Sequence, residues 1–277
     1  MQSEVSGSIA AASTRHDATL RARGAIALPA RVGTRLAPRA SLDHLIGSTT
    51  ATELRALAAA AETSVAAFER ATRRHGSLLQ CWIRGRTVVE FDHYPPDDVV
   101  DADSGSQYFY HAHRSAHAEH GHLHLFRHVD ALGRRIRRTT TRQTHSRKSA
   151  WVPAHLIAIC LSERGMPVSL FTVNRWVTGG HWFDAARTLA LVEGFHLLAR
   201  GPYPDANRWL SGFVQLYRPV LGPLLAARDR RLDVLARTRA RDAIASDRRI
   251  EVLSHVAIDW AHDLDALDAE RARRAVS

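Results

Sequence analysis

Residues 120–129 read HGHLHLFRHV, and this alternation of histidine with apolar residues decides how the middle of the chain is interpreted. Successive side chains of an extended strand point to opposite faces, so Leu123, Leu125 and Val129 are expected on one face. The opposite face is expected to carry Phe126 and the even-numbered histidines, which are His120, His122, His124 and His128. The stretch therefore predicts a half-buried β-strand with an imidazole-rich face.

A helix is the competing interpretation of this histidine-rich region. Histidines spaced by three or four residues would form one stripe of a helix, and five of them are so spaced, at positions 113, 117, 120, 124 and 128. Gly121, the aromatic run QYFYH at 107–111 and the scarcity of good helix formers favour strands.

The neighbouring segments are short, rich in β-branched and aromatic residues, and separated by clusters of Pro, Gly, Asp and Ser. They predict five strands within residues 80–92, 106–113, 120–129, 154–162 and 166–179. The last two strands are joined by ERGMP, a short connection that suits an antiparallel hairpin.

Helical patterns lie on both sides of these strands. Residues 51–74 have apolar positions at spacings of three and four and are followed by Gly76, and a helical pattern returns after Gly180. The predicted fold class is α+β, with an antiparallel β-sheet core of about five strands flanked by an N-terminal helix and a C-terminal helical region. The expected organisation is a mobile tail at 1–45 and a single domain at 46–277, with the β core at about 78–180 and the helices at about 182–273.

Composition excludes several classes of protein. The 277 residues are 45% hydrophobic, which is enough for a substantial core. Cys81 and Cys160 form no CxxC pair, so neither a thiolate zinc site nor a disulfide framework is expected. Without an apolar leader or a membrane-spanning run, the sequence predicts a cytoplasmic protein with no membrane partner.

Cys160 is expected to be a buried apolar residue. It is five positions from His155 on the same predicted strand, and this odd spacing predicts that the two side chains face opposite ways.

The formal charge of +10 comes almost entirely from arginine, because Lys148 is the only lysine. Lys148 lies in SRKSA, so the chain has no P-loop, and this polar setting does not suit a Schiff base. The excess charge is spread along the chain, and no nucleic-acid partner is expected from it. The arginine-rich loop 134–148 is interpreted as a solvated insertion, with a phosphate or nucleic-acid contact as the alternative.

Two HxH pairs carry the metal hypothesis. Residues two apart on a strand lie on the same face with their Cα atoms about 6.5–7 Å apart, so two imidazoles can reach one ion. His111 and His113 form one pair, and His122 and His124 form the other. The predicted ligand candidates are His111, His113, Glu119, His120, His122 and His124. Such a set suits a divalent transition metal, namely Fe, Mn or Zn.

Two local motifs resemble those of known families. Gly105-SQYFY-His111-Ala-His113, followed by Glu119, is similar to the first metal motif of cupins, which are double-stranded jelly rolls that bind iron, manganese or zinc. His120-Gly-His122-Leu-His124-Leu-Phe126 resembles the signature of histidine-triad nucleotide hydrolases and transferases. That second resemblance implies that His122 is a nucleophile for phosphorus, flanked by His120 and His124.

A longer resemblance covers about Gly76 to Leu235. The segments HAH, EHGHLHLF and FTVNRWVTG, together with the helical RWL and RDRRL segments, resemble an uncharacterised bacterial family known only as a domain of unknown function. The resemblance implies that these strands form one unit, and it implies no activity.

The segment TVNRWVTGGHW at 172–182 is a candidate pocket wall. As a strand, it would place Asn174, Trp176 and Thr178 on one face, with His181 after a flexible Gly-Gly. We expect Asn174, Arg175, Trp176 and His181 to bind substrate, with simple packing as the alternative.

The sequence thus predicts a histidine-rich metal-binding protein, with a metalloenzyme acting on a small molecule as the functional hypothesis. The alternatives are a histidine-triad-like phosphoryl or nucleotidyl hydrolase, and a non-catalytic structural or interaction domain with a polar histidine face.

Overall fold

The fold is that of a computed structural model, which describes residues 34–36, 40–112, 120–130, 132–135 and 153–275. Within these ranges, one sheet of seven strands is combined with nine helices. The strands are β1 (Thr34–Arg35), β2 (Tyr94–Val100), β3 (Ser106–Ala112), β4 (Gly121–Arg127), β5 (Ala154–Leu161), β6 (Pro167–Val173) and β7 (Val252–Ala257).

The strands lie in the order β1-β7-β6-β5-β4-β3-β2, and every neighbouring pair is antiparallel except the parallel pair β1 and β7. The predicted antiparallel sheet is therefore present, but it has seven strands where about five were expected. The predicted hairpin is the pair β5 and β6, which is joined by a short turn that contains Gly165.

The nine helices among the described residues are α1 (Leu42–Ile46), α2 (Ala51–His75), α3 (Gln80–Ile83), α4 (Arg175–Thr178), α5 (Ala185–Glu193), α6 (Pro204–Leu216), α7 (Arg218–Ala236), α8 (Arg241–Ala245) and α9 (Trp260–Ala275). Helix α2 matches the predicted helix at 51–74 closely. Its first turn is closed by a capping box between Thr50 and Glu53, and it ends at Gly76, whose positive φ suits a helix stop.

The two faces of the sheet are chemically different. One face, which we call the helix face, packs against the helices in the main hydrophobic core, and Leu123 and Leu125 of β4 are fully buried there. The opposite face, which we call the histidine face, carries His122 and His124 of the same strand. Side chains along β4 therefore alternate as expected for Leu123 and Leu125, and this alternation places His122 and His124 on the face opposite to the helices.

The prediction of a first strand at 80–92 is wrong. Residues 80–83 form α3, which buries Trp82 in the main core, and the edge strand is instead β2, at Tyr94–Val100. Its sequence, YPPDDVV, contains two prolines, which lack the N–H that an internal strand needs. A sheet edge tolerates proline, so only the position of β2 in the sheet explains why this sequence pairs as a strand.

The ends of the chain contribute more to the sheet than the sequence predicts. Strand β7 lies within the segment that was expected to be helical from about 182 to 273, and only α9 is helical after it. Thr34 and Arg35 pair with β7, and α1 buries Leu42 and Ile46, although all of these except Ile46 fall within the predicted tail at 1–45.

The expected strand through residue 179 also ends early. Strand β6 stops at Val173, and Asn174 becomes the N-cap of α4, with its side-chain oxygen accepting a hydrogen bond from the Arg175 backbone N–H. Asn174, Trp176 and Thr178 therefore do not share a strand face, because asparagine favours a helix start over strand continuation here.

Candidate metal centre

The register between β3 and β4 brings two histidines together. His111 is directly opposite His122, and their Nε2 atoms are 2.7 Å apart, a distance at which the N–H of one ring donates to the nitrogen of the other. His124 lies two residues further along β4 on the same face, with its ring centroid 5.0 Å from that of His111. Cross-strand pairing thus brings His111 to His122, and the HxH spacing adds His124 on the same face.

His111, His122 and His124 form a group that can hold a metal ion. One candidate ligand nitrogen from each ring lies within 4.8 Å of the others. His122 is 6% exposed and His124 is 1% exposed, so the group is largely shielded from water. Three ligands at about 2.0–2.1 Å from a tetrahedral ion lie about 3.3 Å from one another, so small side-chain rotations suffice to close the set. The all-imidazole donor set fits a transition metal.

His155 of β5 supports this group from the next strand. Its Nε2 is 3.0 Å from Nδ1 of His124, so it contacts the His124 ring through that nitrogen. Burial, together with the charges of Arg228 and His122, lowers the pKa of His155 to about 3. The ring is therefore neutral near neutral pH, with one donor and one acceptor nitrogen.

Aromatic side chains surround the imidazoles. Phe171 stands edge-on to His122 with the ring centroids 5.1 Å apart, and Phe109 lies 5.3 Å from His124 and 5.6 Å from His111. Phe126 adds a further ring 5.5 Å from Phe109. These apolar surroundings lower the local dielectric constant and strengthen electrostatic interactions at the site.

A hydrogen-bonded chain runs along the outer side of the group. Nε2 of His128 donates to Oε1 of Gln107, and Nε2 of Gln107 donates to Asp98. Asp98 also accepts from Nδ1 of His93 at 2.8 Å, and the His93 ring stacks on Phe109 with the centroids 3.6 Å apart. Sequence reasoning missed His93 and Asp98, because the strand that brings them here was not predicted.

His155 was missed as a partner of His124 because of a β-bulge. The register between β4 and β5 shifts between Leu125 and Phe126, so that Phe126 pairs with His155 while His124 pairs with Ala158. The extra residue reverses the parity, and His155 therefore lies on the same face as Cys160. The expectation that these two residues face opposite ways is wrong, whereas the expectation that Cys160 is buried among apolar residues is confirmed.

His120 does not lie with the other histidines. It precedes β4, and its Nδ1 is within hydrogen-bond distance of the Tyr110 hydroxyl, while its ring stacks on the Tyr110 ring. The predicted alternation therefore begins only at Gly121. The histidine-triad pattern requires His120 beside His122, whereas the structure places His111 there. His113 and Glu119, the remaining candidate ligands, lie outside the described residues.

The candidate substrate residues lie around the far end of β6. The Asn174 amide donates to the carbonyls of Ile244 and Ile250, and the Trp176 indole donates to Ile250, so both side chains fasten the segment before β7. His181 lies near Phe183, with the ring centroids 6.3 Å apart. These contacts are with Ile244, Ile250 and Phe183, which are not part of the histidine group.

A small cavity of about 130 Å³ is lined by Asn174, Arg175, Trp182, Leu232, Arg241, Asp242, Ile244 and Ala245. It has no lining residue in common with the histidine group, so Asn174 and Arg175 border a separate space.

Most of the arginine-rich loop lies outside the described residues. Of its described part, Arg134 pairs with Asp130, and Arg135 donates to the carbonyl of Asp103.

Within the described parts of the chain, the helices are too short or too polar to cross a membrane. The chain matches no curated protein and no solved structure. The model of one protein family, described as Domain of unknown function (DUF6969), matches residues 58–258, and this confirms the resemblance to an uncharacterised family. Because the match covers most of the chain, this protein belongs to the family of that domain of unknown function.

Proposed function

We propose that this protein binds one divalent transition metal ion through His111, His122 and His124, and that it is a metal-dependent enzyme for a small molecule. The convergence within 4.8 Å of three imidazoles, half-buried at His111 and buried at His122 and His124, carries the proposal. Imidazole suits iron and zinc better than manganese, which prefers oxygen ligands, so iron or zinc is the expected ion. His113 and Glu119 remain in the proposal as further ligands, because β3 leads directly into that segment.

The three imidazoles of the described residues leave at least one coordination position for a further ligand, water or substrate, as in catalytic rather than structural zinc sites. A bound ion of this kind acts as a Lewis acid and lowers the pKa of a coordinated water. The chain's own contribution is to hold the imidazoles in place. His155 orients His124, and the rings of Phe109, Phe126 and Phe171 keep bulk water away.

Metal content tests the proposal directly. Untagged protein is expected to contain close to one transition metal ion per chain by elemental analysis, and replacement of His122 and His124 together by alanine should remove it. The matched control replaces His196 and His262, two exposed histidines outside the group, and should retain the metal. A folded, metal-free protein that cannot be reconstituted with iron or zinc would contradict the proposal, as would equal metal loss in the control.

A further inference from the structure

The cavity beside α4 is bounded by both apolar and charged groups. It has a volume of about 130 Å³ and is partly open to solvent. An apolar cavity of roughly 150 Å³ holds a molecule the size of benzene, so this space is large enough for a small organic molecule. Because the cavity has no lining residue in common with the histidine group, an occupant of it would bind independently of a metal ion.

One part of the cavity wall is apolar. Leu232, Ile244 and Ala245 contribute aliphatic groups, and Trp182 contributes an aromatic ring. The guanidinium of Arg228 lies over the Trp182 ring, 4.8 Å from its centroid, and Arg228 is only 3% exposed. This cation–π contact holds the indole in place. The wall therefore favours an apolar group on the ligand.

Asn174 ties the two sides of the cavity together. It is 1% exposed, and its amide donates to the carbonyl oxygens of Ile244 and Ile250 at 2.8 Å and 3.1 Å. Its side-chain oxygen accepts a hydrogen bond from the backbone N–H of Arg175. These bonds join the start of α4 to the segment around α8, so the shape of the cavity is fixed before a ligand binds.

Two opposite charges border the cavity without pairing. Arg175 and Asp242 are both exposed, and among the described residues neither side-chain charge forms a hydrogen bond or an ion pair, with the other or with a third residue. Arg241, which also lines the cavity, is already paired with Asp233 at 2.8 Å. An available guanidinium and an available carboxylate suit a ligand that has both a negative and a positive group, because each can form a charge-assisted hydrogen bond.

We infer that this cavity binds a small zwitterion with an apolar part, of the class of free α-amino acids with aliphatic side chains. Arg175 contacts the carboxylate, Asp242 contacts the ammonium group, and the aliphatic side chain packs against Trp182 and Leu232. A monocarboxylate leaves Asp242 without a partner and a monoamine leaves Arg175 without one, so the zwitterion uses the whole site. The inference does not depend on the proposed metal site.

L-Leucine and two analogues that each lack one charge test this inference. Isocaproate lacks the ammonium group and isoamylamine lacks the carboxylate, while both keep the branched aliphatic chain. The three ligands are titrated by calorimetry into the full chain. L-Leucine should bind at least about tenfold more tightly than either analogue, as expected for one added charge-assisted contact.

Two charge-removing variants identify the contacts. Arg175→Ala should weaken L-leucine and isocaproate binding by about tenfold and leave isoamylamine binding at least as strong as before. Asp242→Asn should weaken L-leucine and isoamylamine binding and leave isocaproate binding at least as strong. A cavity that had only lost its shape would bind all three ligands more weakly. Ala245→Leu, which fills part of the cavity, should weaken all three.

Arg230→Ala and Asp265→Asn are the matched controls, because both are exposed positions that do not line the cavity. Both controls should bind L-leucine as wild type does, and circular dichroism checks that every variant is folded. Wild-type protein that binds no L-leucine, or binds it no more tightly than the two analogues, would overturn the inference. Equal effects of the cavity variants and the controls would also overturn it.

Discussion

His155 positions the ring of His124. The contact between Nε2 of His155 and Nδ1 of His124 occupies one nitrogen of His124 and fixes the plane of its ring. Histidine ligands in metal sites commonly form such a contact through their second nitrogen, which sets the tautomer and raises the basicity of the ligand. His155 is therefore a positioning residue for the proposed site.

Replacing His155 with leucine should weaken zinc binding by about 10–100-fold, the usual effect of removing such a partner. His155→Gln keeps a polar group at this position and should restore most of the affinity. Competition with a chelator gives the affinities, and the visible spectrum of cobalt-loaded protein reports the coordination geometry. A leucine variant with unchanged affinity and spectrum would limit His155 to a packing role.

Gly121 is required because the Tyr110 side chain passes over it. A Cβ atom at this position would lie well inside van der Waals contact of the His111 carbonyl oxygen and the Tyr110 hydroxyl. The carbonyl belongs to the paired strand and cannot move without disturbing the β3–β4 ladder. The close approach also lets the Tyr110 hydroxyl reach His120, which explains why His120 is separated from the other histidines.

Gly121→Ala should therefore lower the free energy of unfolding by about 1–3 kcal/mol, as expected for overpacking against a backbone atom. Urea unfolding followed by circular dichroism measures the change. Gly47→Ala is the matched control, because nothing lies within 4 Å of its Cβ position and its φ is −58°. This variant should stay within about 0.5 kcal/mol of wild type, and a similar loss in both variants would show that the Tyr110 contact is not the cause.

At the scale of elements, α9 is joined to the junction of α6 and α7 by a buried hydrogen bond. The hydroxyl of Tyr217 donates to Oδ2 of Asp263 at 2.5 Å, and both side chains are buried. The pKa of Asp263 is raised from 3.8 to about 6, mainly by burial and in addition by the charges of Asp43 and Asp259, against the lowering effect of the Tyr217 hydrogen bond. At pH 5 the folded protein therefore favours the protonated carboxyl.

This raised pKa predicts a dependence of stability on pH. The stabilising contribution of Asp263 is complete below its unfolded-state pKa near 3.8 and is lost as pH rises through about 6. Asp263→Asn cannot ionise and still accepts the Tyr217 hydrogen bond. Its stability relative to wild type should therefore increase between pH 5 and pH 8 by about 1.4 kcal/mol, because about one pKa unit separates pH 5 from the folded-state pKa.

Urea unfolding at the two pH values checks this difference. Asp265→Asn, an exposed position on the same helix, is the matched control and should show the same pH dependence as wild type. A constant difference between Asp263→Asn and wild type across the pH range would mean that Asp263 is already ionised in the folded protein at pH 5.

At the scale of the whole molecule, the sheet is completed by segments that are distant in sequence. Strand β7 follows the helical region and inserts between β6 and β1, and β1 comes from near the start of the described chain. The backbone N–H of Leu36 donates to the carbonyl of His255, which extends this parallel pairing. His255 and Arg35 are therefore neighbours only because β1 and β7, which are far apart in sequence, pair in one sheet.

The sequence by itself determined the elements whose pattern is local. Helix α2, the β5–β6 hairpin and the burial of Leu123 and Leu125 follow from side-chain periodicity and turn residues, which act over a few positions. The HxH spacing likewise placed His122 and His124 on one face of β4. These features depend only on residues that are close together in the sequence.

Tertiary structure alone decided which partners those residues meet. The β3–β4 register chose His111 as the neighbour of His122, the bulge in β5 turned His155 toward His124, and the close approach of Tyr110 moved His120 away. The position of β2 at the sheet edge accommodates its two prolines, and pairing with β6 stabilises β7 as a strand. Register, bulges and strand order depend on contacts between distant segments, and local pattern does not encode such contacts.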